Sequence, residues 1–553
     1  MEDKETRMKI LDVLDKLLQT SVALSTVASS ENKEKAYEVA DKIKEVLNMI
    51  LITALKLEGS DDRIKLSLGL ESIEDSFLRT VAFLKNGSLK QFQHKIEFEL
   101  IPLLREAFAQ FYIWGYMVNL ENGIEKFLQN DRAILYKNDY IDAAVESGQY
   151  KYEIAFIVLA YNNLDYTKLC VESLLKNIPS EYNYELILIN HGSTDATKQY
   201  FEKLNPTKLL DIKRNGGGMY AVSRIIESEF IMQISNDIIL TPGAIENMVA
   251  CMKSDTKIAW VSPTTPNVSN LQTIEAKYSN LDELFEFGRK NNKSDYYRWE
   301  QRVRLCNPIA LYRAKTFLAK NGAGLTGYVH STSVHSFPDD RSSILLRRSG
   351  YKMMLAKDAF CHHFGSVTLK DEIQRKGEKE FYSKGRIEFA KAFDIDPWGT
   401  GFCYDPIFLN KQIGNHQEHV EILGISCGIG SNSLKIKEQF KEYCHNLDVT
   451  LCNLTDQKRF LQDLKGISDS AYLIQTEKVF SQFLMDKKFD YIVFEETFLG
   501  DTPFLVVFQS LKQCLAINGY LLIKNNNQNA GWLNQNKHQI KQLGNNWNLI
   551  LKL

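Results

Sequence analysis

Asp237 is the first residue in this chain whose position carries chemistry. It closes Ser235-Asn236-Asp237 after the apolar run Phe230–Ile234. Ligands of open α/β sheets gather in the crevice beyond the carboxyl ends of the strands, so a carboxylate delivered there is a candidate metal ligand. The competing reading is a cap for the turn at Thr241-Pro242-Gly243. Two more segments follow the same plan of apolar run then polar turn: AFIVLAYNN over Ala155–Asn163 and ILINHGSTDAT over Ile187–Thr197. In the second, Gly192 permits a tight turn and Ser193 or Thr194 suits a helix cap. Lys213-Arg214-Asn215-Gly216-Gly217-Gly218 precedes a helical pattern over Met219–Ile226, where glycines and a helix amino terminus allow close approach to a phosphate. A plain flexible turn is the alternative there. Further on stand two adjacent acids, Asp339-Asp340, and two adjacent histidines, His362-His363.

The elements that must position these residues follow from periodicity. From about Lys151, short apolar strands alternate with helices: Ile154–Ala160, Leu169–Leu175, Tyr184–Asn190 and Asp195–Leu204. Further strands are expected at Lys208–Lys213, Phe230–Ser235, Ile258–Ser262 and Met353–Ala356. Such alternation predicts a parallel sheet with right-handed crossovers. Asn291–Arg304, polar and aromatic, reads as a loop over an active face. Residues 1 to about 135 read as successive helices, with Ile10, Val13, Leu14, Leu17 and Leu18 at three-and-four spacing. They predict a helical bundle that packs on its neighbour or pairs two copies of the chain. A boundary is expected near Asp396–Glu418, and α/β alternation restarts at Val420–Ser426, Val449–Cys452, Tyr491–Phe494 and Gly519–Ile523. The units are thus 1–135, 150–395 and 418–553.

A chain of 553 residues is long enough for several cores. Its 25% charged residues and net charge of −2 give no field for binding nucleic acid. The nine cysteines form no CxxC pair, which argues against a zinc ribbon or disulfide framework and fits a reduced cytoplasm. The charged start MEDKETRMK is not signal-like, and the early apolar run Val46–Leu55 is far shorter than the ~20 residues of a spanning helix. No membrane span is expected.

With these motifs in order, residues from about Lys151 to Ile395 resemble the family 2 glycosyltransferases of the A-type, Rossmann-like nucleotide-sugar fold. In that family a strand-end Asp-x-Asp holds a divalent cation on the sugar-nucleotide diphosphate, and Ser235-Asn236-Asp237 stands in its place. The resemblance implies Mn2+ or Mg2+ at Asp237, a hard cation that offsets the charge of the leaving diphosphate. It also implies donor contacts from Ala160, Tyr161, Asn162, Asn190, Arg214, Asn215, Gly216 and Asn236. Asn190 replaces the family's usual acid, and an amide both donates and accepts, so uridine preference does not carry over. Phe337-Pro338-Asp339-Asp340, followed by ILLRRSGY, resembles the family's base element. Counting back from Gly350 puts Asp339 at the inverting base, with Asp340 as the neighbour to test. Acids at a helix amino terminus also serve as caps. The run His362-His363-Phe364-Gly365-Ser366 resembles the family's histidine motif, one ring of which reaches the metal or the diphosphate. Similar multidomain proteins decorate cell-surface polysaccharides or flagellin, which makes a polysaccharide or protein hydroxyl the expected acceptor.

From about Val420 the chain resembles class I methyltransferases, with Glu421-Ile422-Leu423-Gly424-Ile425-Ser426-Cys427-Gly428-Ile429-Gly430 at the strand and glycine-rich loop. Ser426 replaces the loop's first glycine, Gly424 replaces a frequent acid, and Asn453 stands where an acid holds ribose hydroxyls. S-adenosylmethionine binding is not expected, and the closing strands read as an incomplete set. Two other readings stay open: a degenerate transferase acting as a binding or assembly subunit, and an active methyltransferase.

Overall fold

A computed structural model describes residues 2–29, 32–58, 66–86, 88–101, 103–104, 139–211, 219, 225–317, 337–365, 386–387, 389–390, 393–399, 401–414, 419–445, 447–500, 502–536, 540–543 and 546–551. Before the first strand the described residues are helical: Glu2–Ser29, Lys33–Glu58, Leu66–Lys85, Leu89–Lys95 and Asp139–Ser147, with a π turn at Ile96–Leu100. Leu14, Leu18, Phe77, Leu84 and Phe92 are buried among them.

Among the described residues the central sheet has nine strands: β1 Tyr152–Ala160, β2 Tyr184–Asn190, β3 Lys208–Asp211, β4 Ser228–Ser235, β5 Ile238–Leu240, β6 Ile258–Thr264, β7 Trp299–Arg302, β8 Ile309–Arg313 and β9 Lys352–His363. Their order is β3-β2-β1-β4-β8-β6-β9-β5, with β7 on β9. Alternate residues of β1 enter different cores, Ile154, Phe156 and Val158 on one face and Ala155 and Ile157 on the other. A strand buried on both sides reads as a continuous apolar run, which is why β1, β2 and β4 were plain in the sequence.

The expected parallel pairing holds for β1 with β2 and β4, for β2 with β3 and for β6 with β9, and fails elsewhere in the sheet. β8 is antiparallel to both β4 and β6, and β5 and β7 are antiparallel to β9. The expected loop Asn291–Arg304 also contains the helix end at Asn291, a 3-10 turn at Tyr296–Arg298 and the whole of β7. β7 was hidden because its buried residues Glu300 and Arg302 are charged and satisfied by ion pairs rather than by apolar neighbours.

The carboxyl-terminal sheet comprises β10 Val420–Ile425, β11 Val449–Thr455, β12 Ser470–Leu473, β13 Phe489–Phe494, β14 Leu515–Lys524, β15 Lys541–Leu543 and β16 Trp547–Leu551. Its order is β12-β11-β10-β13-β14-β16-β15. β16 is antiparallel to β14 and β15, and the other neighbouring pairs are parallel. The strand set is fuller than the sequence suggested, because short β12 and β15 carry too few residues to show a period. The segment at the expected boundary is packed: Phe402, Tyr404 and Phe408 are buried, and Tyr404 Oη accepts a hydrogen bond of 3.1 Å from Arg302.

Candidate functional site

β1 and β2 end side by side, with Ala160 opposite Asn190, and the turns beyond them are tied together. Asn162 and Asn163 both adopt left-handed backbone, a conformation that asparagine tolerates better than most residues. Asn162 N–H donates to Ser193 Oγ at 2.8 Å, while its side-chain oxygen accepts from Thr194 N–H at 2.7 Å. Asp195 accepts from Leu164 N–H at 3.1 Å and Thr197 N–H at 3.0 Å, so this acid pins loops together. The buried Ala160 contributes its carbonyl to His191 N–H at 2.8 Å, and Tyr161 is half-buried beside it.

Asn190 accepts from Ser193 N–H at 3.1 Å and donates its amide to Asp211 at 2.8 Å. Asp211, at the end of β3, also binds Lys198 Nζ at 3.0 Å. A carboxylate thus stands beside the Asn190 amide, across the β2–β3 register. Sequence reasoning missed it because a lone acid at a strand end has no local motif. Arg214, Asn215 and Gly216 lie outside the described residues.

Beyond β4, Asn236 donates its amide to the Asn162 carbonyl at 3.1 Å and to Thr167 Oγ1 at 2.9 Å. That places its side chain as a tie between the first strand's exit and β4. Asp237 is buried, and its Oδ2 lies 3.3 Å from His363 Nε2. The pairing of β5 with β9 sets Ile238 opposite His363 and Ile239 opposite His362. Successive strand residues point to opposite faces, so the two histidines part company, and it is His363 that meets the Asp237 side chain from the turn before β5. His362 instead places Nδ1 at 2.5 Å from Tyr278 Oη and packs its ring edge-on to Phe364. Burial, followed by the neighbouring His363, lowers the His362 pKa.

Among the described residues no group of three or more His, Cys, Asp or Glu side chains is arranged around a common point. The pair Asp237 and His363 nevertheless suits a cation that takes its other ligands from elsewhere. Adjacent ligands on an octahedron with bonds of ~2.1 Å stand about 3 Å apart, close to the separation seen here. A carboxylate and an imidazole are both acceptable donors to manganese.

Asp339 and Asp340 open the helix Pro338–Arg348. Phe337 before it has left-handed backbone and Pro338 occupies the first turn, where its missing N–H costs nothing. Val303–Asn307 runs alongside this helix. Arg304 Nε lies 2.7 Å from Asp340, Ser343 Oγ accepts from Leu305 N–H at 3.4 Å, and Asp339 accepts from Asn307 N–H at 3.2 Å. The next residue, Pro308, accepts from Ser235 N–H at 3.0 Å. The acid pair and the Ser235-Asn236-Asp237 turn are thus joined through one short stretch of chain. Burial, then the charge of Asp340, raises the Asp339 pKa to about 7, opposed by Arg304 and the Asn307 N–H. Asp340 is also raised by burial, though Arg304 beside it pulls the other way. A carboxyl poised near neutrality is suited to proton transfer.

The glycine-rich loop of the carboxyl-terminal unit is covered by the chain itself. A Cβ on Gly401 would fall 2.6 Å from the Cys427 carbonyl and 2.7 Å from Ile429 N, so the backbone at Gly401 lies directly on the loop. Asn453 is fully buried, accepting from Ser433 at 2.9 Å and donating to Ser468 at 2.7 Å. Gly424 is dictated by Asn453, whose side-chain oxygen would lie 1.9 Å from any Cβ there.

Residues 155–317 match the family described as Glycosyl transferase family 2. The chain therefore carries a glycosyltransferase domain. Among solved structures it is similar to "GalNAc-T7 with UDP, GalNAc and Mn2+" at 11% identity, TM-score 0.30, over 38% of this chain and 44% of that one. It is also similar to a mannosyltransferase of Pyrobaculum calidifontis in complex with GDP-Man and Mn2+, at 13% identity, TM-score 0.29, over 49% of this chain and 73% of that one. A third is S. aureus TarS 1-349, at 14% identity, TM-score 0.31, over 53% and 73%. The first of these is matched over less than half its own length. No curated protein sequence matches the chain significantly. No helix among the described residues is long and apolar enough to cross a membrane.

Proposed function

We propose that this chain is a metal-dependent inverting glycosyltransferase that moves a sugar from a nucleotide-diphosphate donor to a hydroxyl on a surface polysaccharide or a protein such as flagellin. The observation that carries the reading is the convergence of Asp237 on His363 at the carboxyl edge of β4, linked through Ser235, Pro308 and Asn307 to Asp339. Asp237 and His363 hold Mn2+ or Mg2+, which when bound offsets the negative charge of the departing diphosphate. Asn162, Asn190 and the turn they fix shape the floor of the donor site. Asp339 takes the acceptor hydroxyl's proton as that oxygen attacks the anomeric carbon from the face opposite the diphosphate. Asp340, engaged with Arg304, keeps the helix end in place.

The carboxyl-terminal unit has a methyltransferase-like fold without the cofactor, a reading supported by Gly401 packed on its glycine-rich loop. Nine free cysteines, most of them buried, fit a cytoplasmic location.

A thermal-shift panel of nucleotide sugars tests the reading. One donor is expected to raise the melting temperature with Mn2+ present and to do so far less without it, since a ligand of the folded state stabilises more the further its concentration exceeds its Kd. No shift with any nucleotide sugar, or a shift with S-adenosylmethionine alone, overturns it.

The pH profile tests the base. Asp339 must be ionised to act, so kcat/KM is expected to fall as pH drops below about 7. The limb is expected to be lost from the pH profile of Asp339→Asn, and an acid limb that persists in that folded variant counts against Asp339 as the base.

A further inference from the structure

We infer that the carboxyl-terminal unit positions the catalytic helix through Asp463, which clamps Arg347 and Arg348 at the far end of the helix that begins with Asp339. The inference rests on the reading of Asp339 as the base. Asp463 lies on the helix Lys458–Lys465 and is completely buried. Its Oδ1 accepts from Arg347 Nε at 3.0 Å and also from the Arg347 terminal nitrogen. Its Oδ2 accepts from Arg348 Nε at 2.9 Å and Nη2 at 2.6 Å. Each guanidinium thus presents a two-pronged fork to one carboxylate oxygen, a geometry that fixes direction as well as distance. Burial alone would raise the Asp463 pKa, yet the two guanidiniums hold it low, so the carboxylate stays ionised.

The clamp is tied to the site by a second contact. Arg347 donates to the Val303 carbonyl, and the next residue, Arg304, reaches Asp340 at the opposite end of the same helix. Seven residues separate Asp340 from Arg347, two turns and about 10 Å on one helical face. Val303–Asn307 and the helix therefore form a ladder. The carboxyl-terminal unit holds its lower rung and Asp339 sits at its upper one.

The close approach is built into the sequence as well. Gly466 has ordinary right-handed backbone, so conformational freedom does not explain the glycine. A Cβ there would meet the Arg347 carbonyl at 2.6 Å and Arg347 Cγ at 2.7 Å. Nearby pairs reinforce the docking. Lys435 Nζ lies 2.6 Å from Glu300, Lys357 Nζ lies 2.7 Å from Glu442, and Tyr297 stacks on His445 with ring centroids 3.6 Å apart. Burial would raise the Glu300 pKa, but Arg302, Lys435 and Lys357 bring it to about 2. Removing one member of a buried ion cluster leaves the others uncompensated, whereas the intact cluster chiefly specifies geometry.

The test compares the full-length chain with Asp463→Asn and with the milder Arg348→Met, which leaves a neutral Arg347–Asp463 pair and serves if the first variant does not fold. In each folded variant, amide hydrogen exchange over Pro338–Arg348 is expected to speed up while β1 and β4 keep their protection. With Mn2+ and donor, kcat is expected to fall about tenfold or more with donor Kd unchanged, because small displacements of a catalytic group are costly. Asp463→Glu is expected to recover part of the loss. Unchanged exchange over the helix, unchanged kcat, or equal losses in kcat and donor affinity overturn the clamp. A wild-type chain inert toward every nucleotide sugar refutes the proposed function instead, and the exchange comparison still decides whether Asp463 holds the helix.

Discussion

Asp237→Ala is expected to lower the rate of sugar transfer about a thousandfold, because a cation's compensation of transition-state charge is worth several kcal/mol. The same substitution is expected to weaken donor binding in Mn2+ and to leave metal-free nucleotide binding nearly unchanged. The backbone should survive it. The hydrogen bond of 3.1 Å from Phe364 N–H uses the Asp237 carbonyl, and the β5–β9 ladder continues through Ile238, Ile239 and Leu240. His363→Ala should give a smaller effect of the same kind, whereas His362 faces Tyr278 and its removal should act on packing alone. Titration of donor binding against Mn2+ measures the difference. A metal dependence unaltered in Asp237→Ala contradicts the assignment.

Asp339→Asn is expected to reduce kcat by about 10²- to 10⁴-fold, the usual worth of a general base, with donor Kd unchanged. The amide has the size of the carboxyl and can still accept from Asn307 N–H, so the helix end should hold. Asp340→Asn provides the contrast. It strips the buried Arg304 of its partner, at a cost to stability of about 3–5 kcal/mol. Loss of activity in Asp340→Asn should therefore track unfolding, while loss in Asp339→Asn should occur in a protein of normal melting temperature. Equal melting temperatures with the larger kcat loss in Asp340→Asn would exchange the two roles.

What could be read from the sequence and what could not follow from how far each residue's partners lie along the chain. β1, β2 and β4 announce themselves as apolar runs, and Asp237 and Asp339-Asp340 stand next to strand-end and helix-start patterns that are local. β8 is five residues long and follows Pro308, so no period develops. β7 hides its burial behind Glu300, which pairs with Lys357 and Lys435, and Arg302, which reaches residues 270, 271 and 404. Asp211, Arg304 and Asp463 acquire meaning only from contacts with Asn190, Asp340 and Arg347, brought together by sheet order and by the docking of two α/β units. The choice between His362 and His363 required their side-chain contacts, with Tyr278 and with Asp237, which no motif encodes.

The most direct measurement is an anomalous difference map from crystals of the chain soaked with Mn2+ and a nucleoside diphosphate. The account predicts one manganese peak bonded to Asp237 Oδ2 and His363 Nε2, with diphosphate oxygens on its open side. A bound diphosphate whose manganese touches neither side chain would contradict it.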